Sequence, residues 1–390
     1  MTEWHLKYGL NPHQGEAVAT FPDGQAWLQV LNGRVGYVNL LDALRAWTLA
    51  RELGTTFSAP SAASIKHVHP AGAAVAGRLD SSFRVAHDLR EADLSPLATA
   101  YARARAGDRI AAFGDFIGLS DIVDESCARL IAREVSDGIV APAYAPEALQ
   151  ILKNKKAGSY IVLQADPGYA WSGLEIRRES GLELRQAANR TTIDAKLFER
   201  KAVGTTLLPP DAIRDLQLAT IVVKHTPSNG VCLAYDGQAI GIGGGQQARI
   251  HATRSACEKA DLWRLHLHPR AAELRGPEEA GRTTQFNIVR QWLLWDELAD
   301  REQAALQATT RHLPAPFTRK ERRDWLARSS LIVMSSDGYI PFPDNVDRAA
   351  RSGVRAIAQP GGSKQDALVT AAADAAGITM LHTGLRLFWH

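Results

Sequence analysis

The 390-residue sequence lacks the features of several large protein classes. No apolar run approaches the roughly 20 residues that a membrane-spanning helix needs. The N-terminus, Met1-Thr2-Glu3-Trp4-His5, has no apolar core of the kind found in signal peptides, and low-complexity segments are absent. We therefore expect a cytoplasmic protein with no membrane partner.

Cysteine is scarce, and the three residues Cys127, Cys232 and Cys257 are spaced neither as a metal knuckle nor as a redox pair. A zinc deaminase would need His-x-Glu and Pro-Cys-x-x-Cys motifs, and neither is present. The Gly-x-Ser-x-Gly elbow of serine hydrolases is also missing. We expect reduced, buried thiols and no metal held by side chains.

The net charge is small, at +3, because the sequence has 45 basic and 42 acidic residues. This balance disfavours a nucleic-acid partner, since binding to phosphate backbones needs concentrated positive charge. The basic run Arg319–Arg323 is interpreted as a solvated helix face. The length favours two domains over a single core.

The stretch Ser64–Gly72 places a lysine and a histidine side by side, which supplies a cation and a base that titrates near neutral pH. Because its proline cannot donate to a β-ladder, we expect a strand that begins at Ala63 to end by His69. Adjacent side chains of a regular strand face opposite ways, so Lys66 and His67 can share a site only if the backbone bends between them. The alternative is a strand with one polar face and solvated histidines.

Three features recur in the same order in the two halves of the sequence. Lys66-His67 is echoed by Lys224-His225 after the apolar run 219–223, Phe113–Phe116 before a helix by Ile242–Gly245, and Ser136–Gly138 before a strand by Ser336–Gly338. The recurrence predicts a duplicated α/β unit, with residues 1–204 forming the first copy and 205–390 the second.

Local patterns predict further elements. A helix follows Asn39 as N-cap, with Asp42 three residues on, and stops at Gly54, and a helical pattern runs from Phe116 through Leu119 to Leu130. Asp236-Gly237 predicts a β-hairpin. A long amphipathic helix is predicted through Phe286–Leu298, and strand–helix alternation between residues 331 and 381 predicts a parallel sheet.

Two glycine-rich turns are candidate anion sites because each lies between a strand and a helix. The first, Gly241–Gln247, has Arg249 placed one turn into the following helix, and the second is Pro360–Lys364. Plain tight turns are the alternative. Asp137, Asp337 and Asp344 could each hold a ligand or cap a turn, and His266 and His268 are interpreted as surface residues.

Eight motifs, spread from residue 7 almost to the C-terminus, resemble those of one known family: residues 7–14, 66–72, 113–116, 136–138, 228–229, 243–251, 341–348 and 385–388. The chain resembles the formyltransferase domain of the bifunctional purine-biosynthesis enzymes. Those enzymes carry aminoimidazole-carboxamide ribotide (AICAR) formyltransferase and inosine monophosphate cyclohydrolase activities.

The resemblance implies an α/β fold built from duplicated cytidine-deaminase-like three-layer α/β/α units without zinc. It also implies a homodimer with active sites near the subunit interface. The reaction would transfer a formyl group from 10-formyltetrahydrofolate to the 5-amino group of AICAR. A structural potassium ion occurs in family members.

The resemblance also assigns residues. His67 is the expected proton acceptor, and Lys66 is expected to stabilise the transition state. The expected nucleotide contacts are Lys7, Tyr8, Asn39, Gly114, Asp137, Asn229, Arg249, Tyr339 and Arg386. The expected folate contacts are Ile250, Asp344, Ser363 and Lys364.

Several departures from the family pattern leave alternatives open. Lys7 replaces an arginine and cannot make the same bidentate contact, Tyr339 replaces phenylalanine, and Gly230 replaces serine. The cyclohydrolase domain is not in this sequence, so we expect a separate protein to supply it. The alternatives are a folate-dependent formyltransferase that acts on another aminated nucleotide or heterocycle, and a nucleotide-binding module without catalysis.

Overall fold

The structure is a computed structural model that describes residues 3–89, 93–169, 173–204, 207–328 and 331–390. Within these ranges, no helix combines the length and the apolar character needed to cross a membrane.

The strands are mostly short, and in the described residues they are β1 (Glu3–His5), β2 (Val18–Thr20), β3 (Leu28–Asn32), β4 (Ser61–Lys66), β5 (His69–Val75), β6 (Asp115–Leu119), β7 (Ser136–Ala141), β8 (Ile161–Ala165), β9 (Leu174–Glu179), β10 (Leu182–Ala187), β11 (Lys201–Val203), β12 (Val231–Tyr235), β13 (Gln238–Gly243), β14 (Ile332–Ser336), β15 (Val354–Gln359) and β16 (Thr379–His382).

The α-helices of the same residues are α1 (Tyr37–Phe57), α2 (Ser81–Ala86), α3 (Pro96–Ala106), α4 (Glu125–Ala132), α5 (Pro146–Asn154), α6 (Pro210–Lys224), α7 (Arg249–His266), α8 (Pro269–Glu273), α9 (Arg282–Leu293), α10 (Asp300–Thr309), α11 (Arg319–Leu326), α12 (Asp344–Arg351) and α13 (Asp366–Ala375).

One mixed sheet of twelve strands runs through the described chain in the order β11-β16-β15-β14-β12-β13-β5-β4-β6-β7-β8-β3. At its centre β5 and β13 are antiparallel, with Ala74 opposite Gln238. On one side, β4 pairs antiparallel with β5, β6 antiparallel with β4, β7 and β8 follow in parallel, and β3 is the antiparallel edge strand. On the other side, β12, β14, β15, β16 and β11 follow β13 with the same sequence of directions. The strand order therefore has the same pattern in both directions from the centre.

The order of elements along the chain is also repeated. The first half runs α1-β4-β5-α3-β6-α4-β7-α5-β8, with the short α2 inserted before α3. The second runs α6-β12-β13-α7-β14-α12-β15-α13-β16, with α8 to α11 inserted after α7. Helices cover both faces of the sheet: Ala63 and Ile65 of β4 pack with α1 and α6, whereas Ala62 packs with α3. The predicted boundary at residues 204 and 205 meets a gap in the described residues and stays a prediction.

All three sequence echoes were wrong. Phe113 and Gly114 precede strand β6, whereas Ile242 and Gly243 end β13 and the next element is helix α7. Lys224 ends helix α6 and His225 caps it, whereas Lys66-His67 lies at a hairpin. Ser136-Asp137-Gly138 begins β7, but Asp337 follows β14. The apolar run 219–223 lies inside helix α6. A short continuous apolar run has no period that separates a strand from a buried helix.

Other boundaries also differ from the sequence expectations. α1 begins after Gly36 rather than Asn39 and continues past Gly54 to Phe57. Residues 115–119 form strand β6 instead of a helix, and α4 begins only after Asp124, which caps it. The β12–β13 hairpin at Asp236-Gly237 and the alternation from β14 to β16 are confirmed.

The inserted helices have their own core, and Phe286 of α9 stacks on His87 of the first half, with ring centroids 6.2 Å apart. His266 stacks on His87, with ring centroids 5.4 Å apart, so its interpretation as a surface residue was wrong. The half-buried His268 ring accepts a hydrogen bond from the Arg270 amide. His87 is 2% exposed, and its ring nitrogens have no hydrogen-bond partner among the described residues. Burial lowers the pKa of His87 well below its ordinary 6.5 and that of His266 to about 4.

We expect the free energy of unfolding to decrease as the pH falls from 6.5 towards 4. The unfolded chain takes up protons on His87 and His266 that the folded chain excludes, and each such proton adds about 1.4 kcal/mol per pH unit to the slope. Urea unfolding between pH 7 and pH 5 measures this slope. His87→Phe should reduce it, while the same change at the exposed His312 should not; equal slopes in both variants would contradict the assignment.

Candidate functional site

Lys66 and His67 lie where the β4–β5 hairpin reverses direction. Lys66 ends β4 opposite His69, the first residue of β5, and His67-Val68 forms the two-residue turn. The prediction that this strand ends by His69 is therefore confirmed, since β4 ends at Lys66. The alternative of one extended strand with a polar face was wrong. Pro70 is accommodated inside β5 because the register shifts at that point, where a missing N–H donor is tolerated.

The turn bends the backbone between the two candidate catalytic residues. His67 and Val68 have φ values of +52° and +61°, so the alternation of strand side chains stops at Lys66. This left-handed conformation costs about 1–2 kcal/mol for a residue that is not glycine.

Asp42 of α1 contacts this turn, and the sequence reading missed its role. Its Oδ1 accepts a hydrogen bond from the Val68 amide at 2.6 Å, and Oδ2 accepts one from the His67 amide at 3.2 Å. Burial raises the pKa of the Asp42 carboxyl, while these two hydrogen bonds act in the opposite direction. The available signal was an acidic residue on the buried face of a helix, one turn after Asn39.

The Lys66 ammonium is half-buried beside the start of β6. It donates a hydrogen bond to the carbonyl of Phe113, and a Cβ added to Gly114 would lie 4.0 Å from its Nζ. Gly114 has a φ of +77°, which favours glycine. His67, in contrast, is exposed. The cation is thus fixed by the protein, and the base faces outward.

Three of the expected nucleotide residues lie beside α1. The Tyr8 hydroxyl donates to Asn39 Oδ1 at 2.9 Å, and the Lys7 ammonium lies 5.9 Å from the Tyr8 ring centroid. Asn39 is the third residue of α1, and its side chain accepts a hydrogen bond from the Gly36 amide. Because Asn39 and Asp42 belong to the same face of this helix, the side chains of Lys7, Tyr8 and Asn39 are close to the Lys66–His67 turn.

His69 joins the turn to the first glycine-rich loop. Its Nδ1 lies 2.7 Å from the His67 carbonyl oxygen, and a Cβ on Gly245 would lie 2.9 Å from its Nε2. Such a close approach requires glycine. The loop therefore lies against the turn, although residues 66–69 and 243–247 are far apart in sequence.

Arg249 is the first residue of α7 rather than one turn inside it. Its guanidinium donates to the carboxylate of Asp337, to Asn229 Oδ1 at 2.6 Å and to the Gly230 carbonyl at 3.1 Å. The positive charge that was expected to meet a phosphate is thus neutralised inside the protein.

Asp337 organises the remaining nucleotide candidates. It is 0% exposed and accepts hydrogen bonds from Ser228 and Arg249, so its carboxylate is already paired within the protein. Its carbonyl accepts from the Leu387 amide, which places the exposed Arg386 next to it. Tyr339, 48% exposed, follows two residues later. Asn229, Arg249, Tyr339 and Arg386 therefore share one neighbourhood.

Asp137 lies near the turn, since its charge adds to the burial that raises the pKa of the Asp42 carboxyl. It forms an ion pair with Lys156 at 2.8 Å. The folate candidates lie elsewhere. The expected folate residues are Ile250 near the start of α7, the exposed Asp344 at the start of α12, and Ser363 and Lys364 before α13. No hydrogen bond or ion pair among the described residues connects these folate candidates to the Lys66–His67 turn.

Metal and thiol chemistry have little support in the described part of the chain. No group of three or more histidine, cysteine, aspartate or glutamate side chains is arranged there to hold a metal ion. Cys127, Cys232 and Cys257 are buried and unpaired, as predicted.

Comparison with known proteins gives a consistent result. The sequence model of the AICARFT/IMPCHase bienzyme family matches residues 1–259. The chain is similar to the bifunctional purine biosynthesis protein PurH of Sorangium cellulosum, with 31% identity over 99% of the chain, and to that of Bartonella bacilliformis, with 30% identity over 99%. The chain spans 58% of the length of each relative. It belongs to the AICARFT/IMPCHase bienzyme family.

Proposed function

We propose that this chain is an AICAR formyltransferase of purine biosynthesis that uses 10-formyltetrahydrofolate as cosubstrate. The observation that carries the proposal is the turn at which a fixed ammonium and an exposed imidazole follow one another, Lys66 and His67, in a member of this family. The proposal includes two deaminase-like units without zinc and a homodimer. A structural potassium ion is part of the same expectation.

The chemistry suits these two side chains. The 5-amino group of AICAR is a weak nucleophile because its lone pair is delocalised into the ring and carboxamide. As its nitrogen bonds to the formyl carbon, His67 accepts the amine proton; such a base typically contributes about 10²–10⁴-fold. Negative charge develops on the formyl oxygen, and the Lys66 cation stabilises it. The bond from the formyl carbon to N10 then breaks, and N10 takes up one proton in place of the one that His67 accepted, which leaves the reaction proton-neutral.

The two neighbourhoods have the same proposed role, and the folate candidates have another. The group around Lys7, Tyr8 and Asn39 and the group around Asn229, Tyr339 and Arg386 would hold the nucleotide. Because Arg249 is paired with Asp337, the exposed Lys7 and Arg386 are better candidates for a free phosphate-binding cation. Asp344, with Ile250, Ser363 and Lys364, would meet the folate.

We expect the purified protein to form tetrahydrofolate from 10-formyltetrahydrofolate only when AICAR is present. The absorbance change of the folate measures this reaction. Reactions without AICAR are the control. Calorimetric binding of AICAR without any turnover would favour the non-catalytic module. Faster turnover with another aminated nucleotide would favour a different substrate, as the Lys7 and Tyr339 departures suggest.

His67→Ala should lower kcat by about 10²–10⁴-fold with little change in AICAR affinity, since the exposed ring is lost as a base and not as a packing group. Steady-state kinetics and calorimetry separate the two effects. His312→Ala, an exposed histidine in the helical insert, is the matched control. A near-native rate in His67→Ala would remove this residue from the mechanism.

Arg249→Ala should reduce the free energy of unfolding by about 3–5 kcal/mol, because it leaves the buried Asp337 carboxylate without its cation. Denaturant unfolding measures this loss. Adding Asp337→Asn should recover part of the stability by removing the unpaired charge. Unchanged stability together with weaker AICAR binding would instead make Arg249 a direct ligand contact.

A further inference from the structure

The β4–β5 turn has a sequence poorly suited to its conformation. A two-residue hairpin turn with positive φ at both positions favours Asn-Gly or Asp-Gly. Here the positions are occupied by His67 and Val68, and valine is β-branched, which makes a positive φ especially unfavourable. Something outside the hairpin must therefore stabilise the turn.

The Asp42 carboxylate supplies that stabilisation. The two central amides of such a turn have no partner within the hairpin, and Asp42 accepts a hydrogen bond from each, one on each oxygen. The aspartate is 7% exposed and belongs to α1, which packs against β4 and β6. Hydrogen bonds to a charged acceptor are stronger than neutral ones, so one side chain holds both strained residues.

The second half of the chain contains the same arrangement without the candidate catalytic residues. Asp215 is the sixth residue of α6, as Asp42 is the sixth residue of α1. Its Oδ1 accepts a hydrogen bond at 2.6 Å from the amide of Gly237 in the β12–β13 turn. That turn, Asp236-Gly237, also has positive φ at both positions, but with the preferred residues.

The comparison separates structure from function. A buried aspartate beneath a left-handed turn is common to both hairpins, whereas only the first turn follows a lysine and contains a histidine. Unfavourable residues at a turn that could have been Asp-Gly indicate a functional demand on the first turn.

We infer that Asp42 is a positioning residue, which holds the His67-Val68 turn so that the Lys66 and His67 side chains keep one relative geometry at the reacting group. The inference rests on the proposed function of these two residues. It assigns Asp42 no contact with substrate.

The test compares Asp42→Ala with Asp42→Asn and with Asp42→Ala combined with Val68→Gly. We expect Asp42→Ala to lower kcat by about 10–100-fold with a smaller change in KM, because a small displacement of catalytic groups has effects of this size. Asp42→Asn keeps one acceptor oxygen and should lose less. Val68→Gly should restore part of the rate in the Asp42→Ala background, since glycine adopts a positive φ freely.

Asp215→Ala is the matched control, because it removes the corresponding buried carboxylate from the turn that carries no candidate catalytic residue. It should lower the denaturation midpoint while leaving kcat per folded molecule unchanged. If Asp42→Ala likewise loses only stability and keeps the wild-type kcat, the positioning role is wrong.

Hydrogen exchange of the His67 and Val68 amides tests the geometry without any assay of turnover. Protection of these two amides should be lost in Asp42→Ala and kept in Asp215→Ala. Should the wild-type protein show no formyl transfer, the proposed function fails, yet this measurement still decides whether Asp42 holds the turn; amides that stay protected in Asp42→Ala would overturn the inference. Asp42→Asn serves the same purpose if Asp42→Ala does not fold.

Discussion

The antiparallel pairing of β5 with β13 is the contact on which the rest of the structure depends, because it makes one sheet from two similar halves. Besides Ala74 opposite Gln238, the Val75 amide donates to the Gly237 carbonyl at 3.0 Å. Helix α3 covers this junction so closely that a Cβ on Gly72 would lie 1.9 Å from the Ala104 carbonyl oxygen. The small residues of β5 are explained by this packing.

This junction also determines where chemistry can occur. Since β5 and β13 run in opposite directions, their hairpins turn back at opposite ends of the sheet. The end with Lys66 and His67 faces the glycine-rich loop through His69, and the loop leads into α7 and the Arg249–Asp337 pair. Residues from both halves therefore surround one end, while the other end is formed by the Asp236-Gly237 turn.

Much of the fold could be predicted because many elements carry local signals. β14 to β16 alternate with short amphipathic helices, and Gly377 stops α13 with a φ of +65°. The failures have a different cause. Gly118 makes β6 a poor strand by composition, but a Cβ there would lie 2.1 Å from the Ala46 carbonyl oxygen, so the glycine serves helix packing that no local pattern reveals.

The site shows the same division between local and distant signals. The Lys66-His67 pair is visible in the sequence, and the need for a bend between the two residues follows from strand geometry. The means of bending does not, because the Asp42 contacts join residues 25 and 26 positions apart through the packing of α1. Arg249 pairs with Asp337, which is 88 positions away in the sequence. The sequence therefore does not show that the guanidinium, which resembles a phosphate ligand, is already neutralised by a carboxylate.

The continuous sheet has a consequence for how the molecule comes apart. Separating the halves would expose β5 and β13 as new strand edges with unpaired backbone groups, which are prone to pairing with other chains. The Glu52 carboxylate on α1, which binds both Lys224 and His225 at the end of α6, opposes the same separation on one face of the sheet. We therefore expect the two halves to unfold together, because melting of either half removes a neighbour of the other.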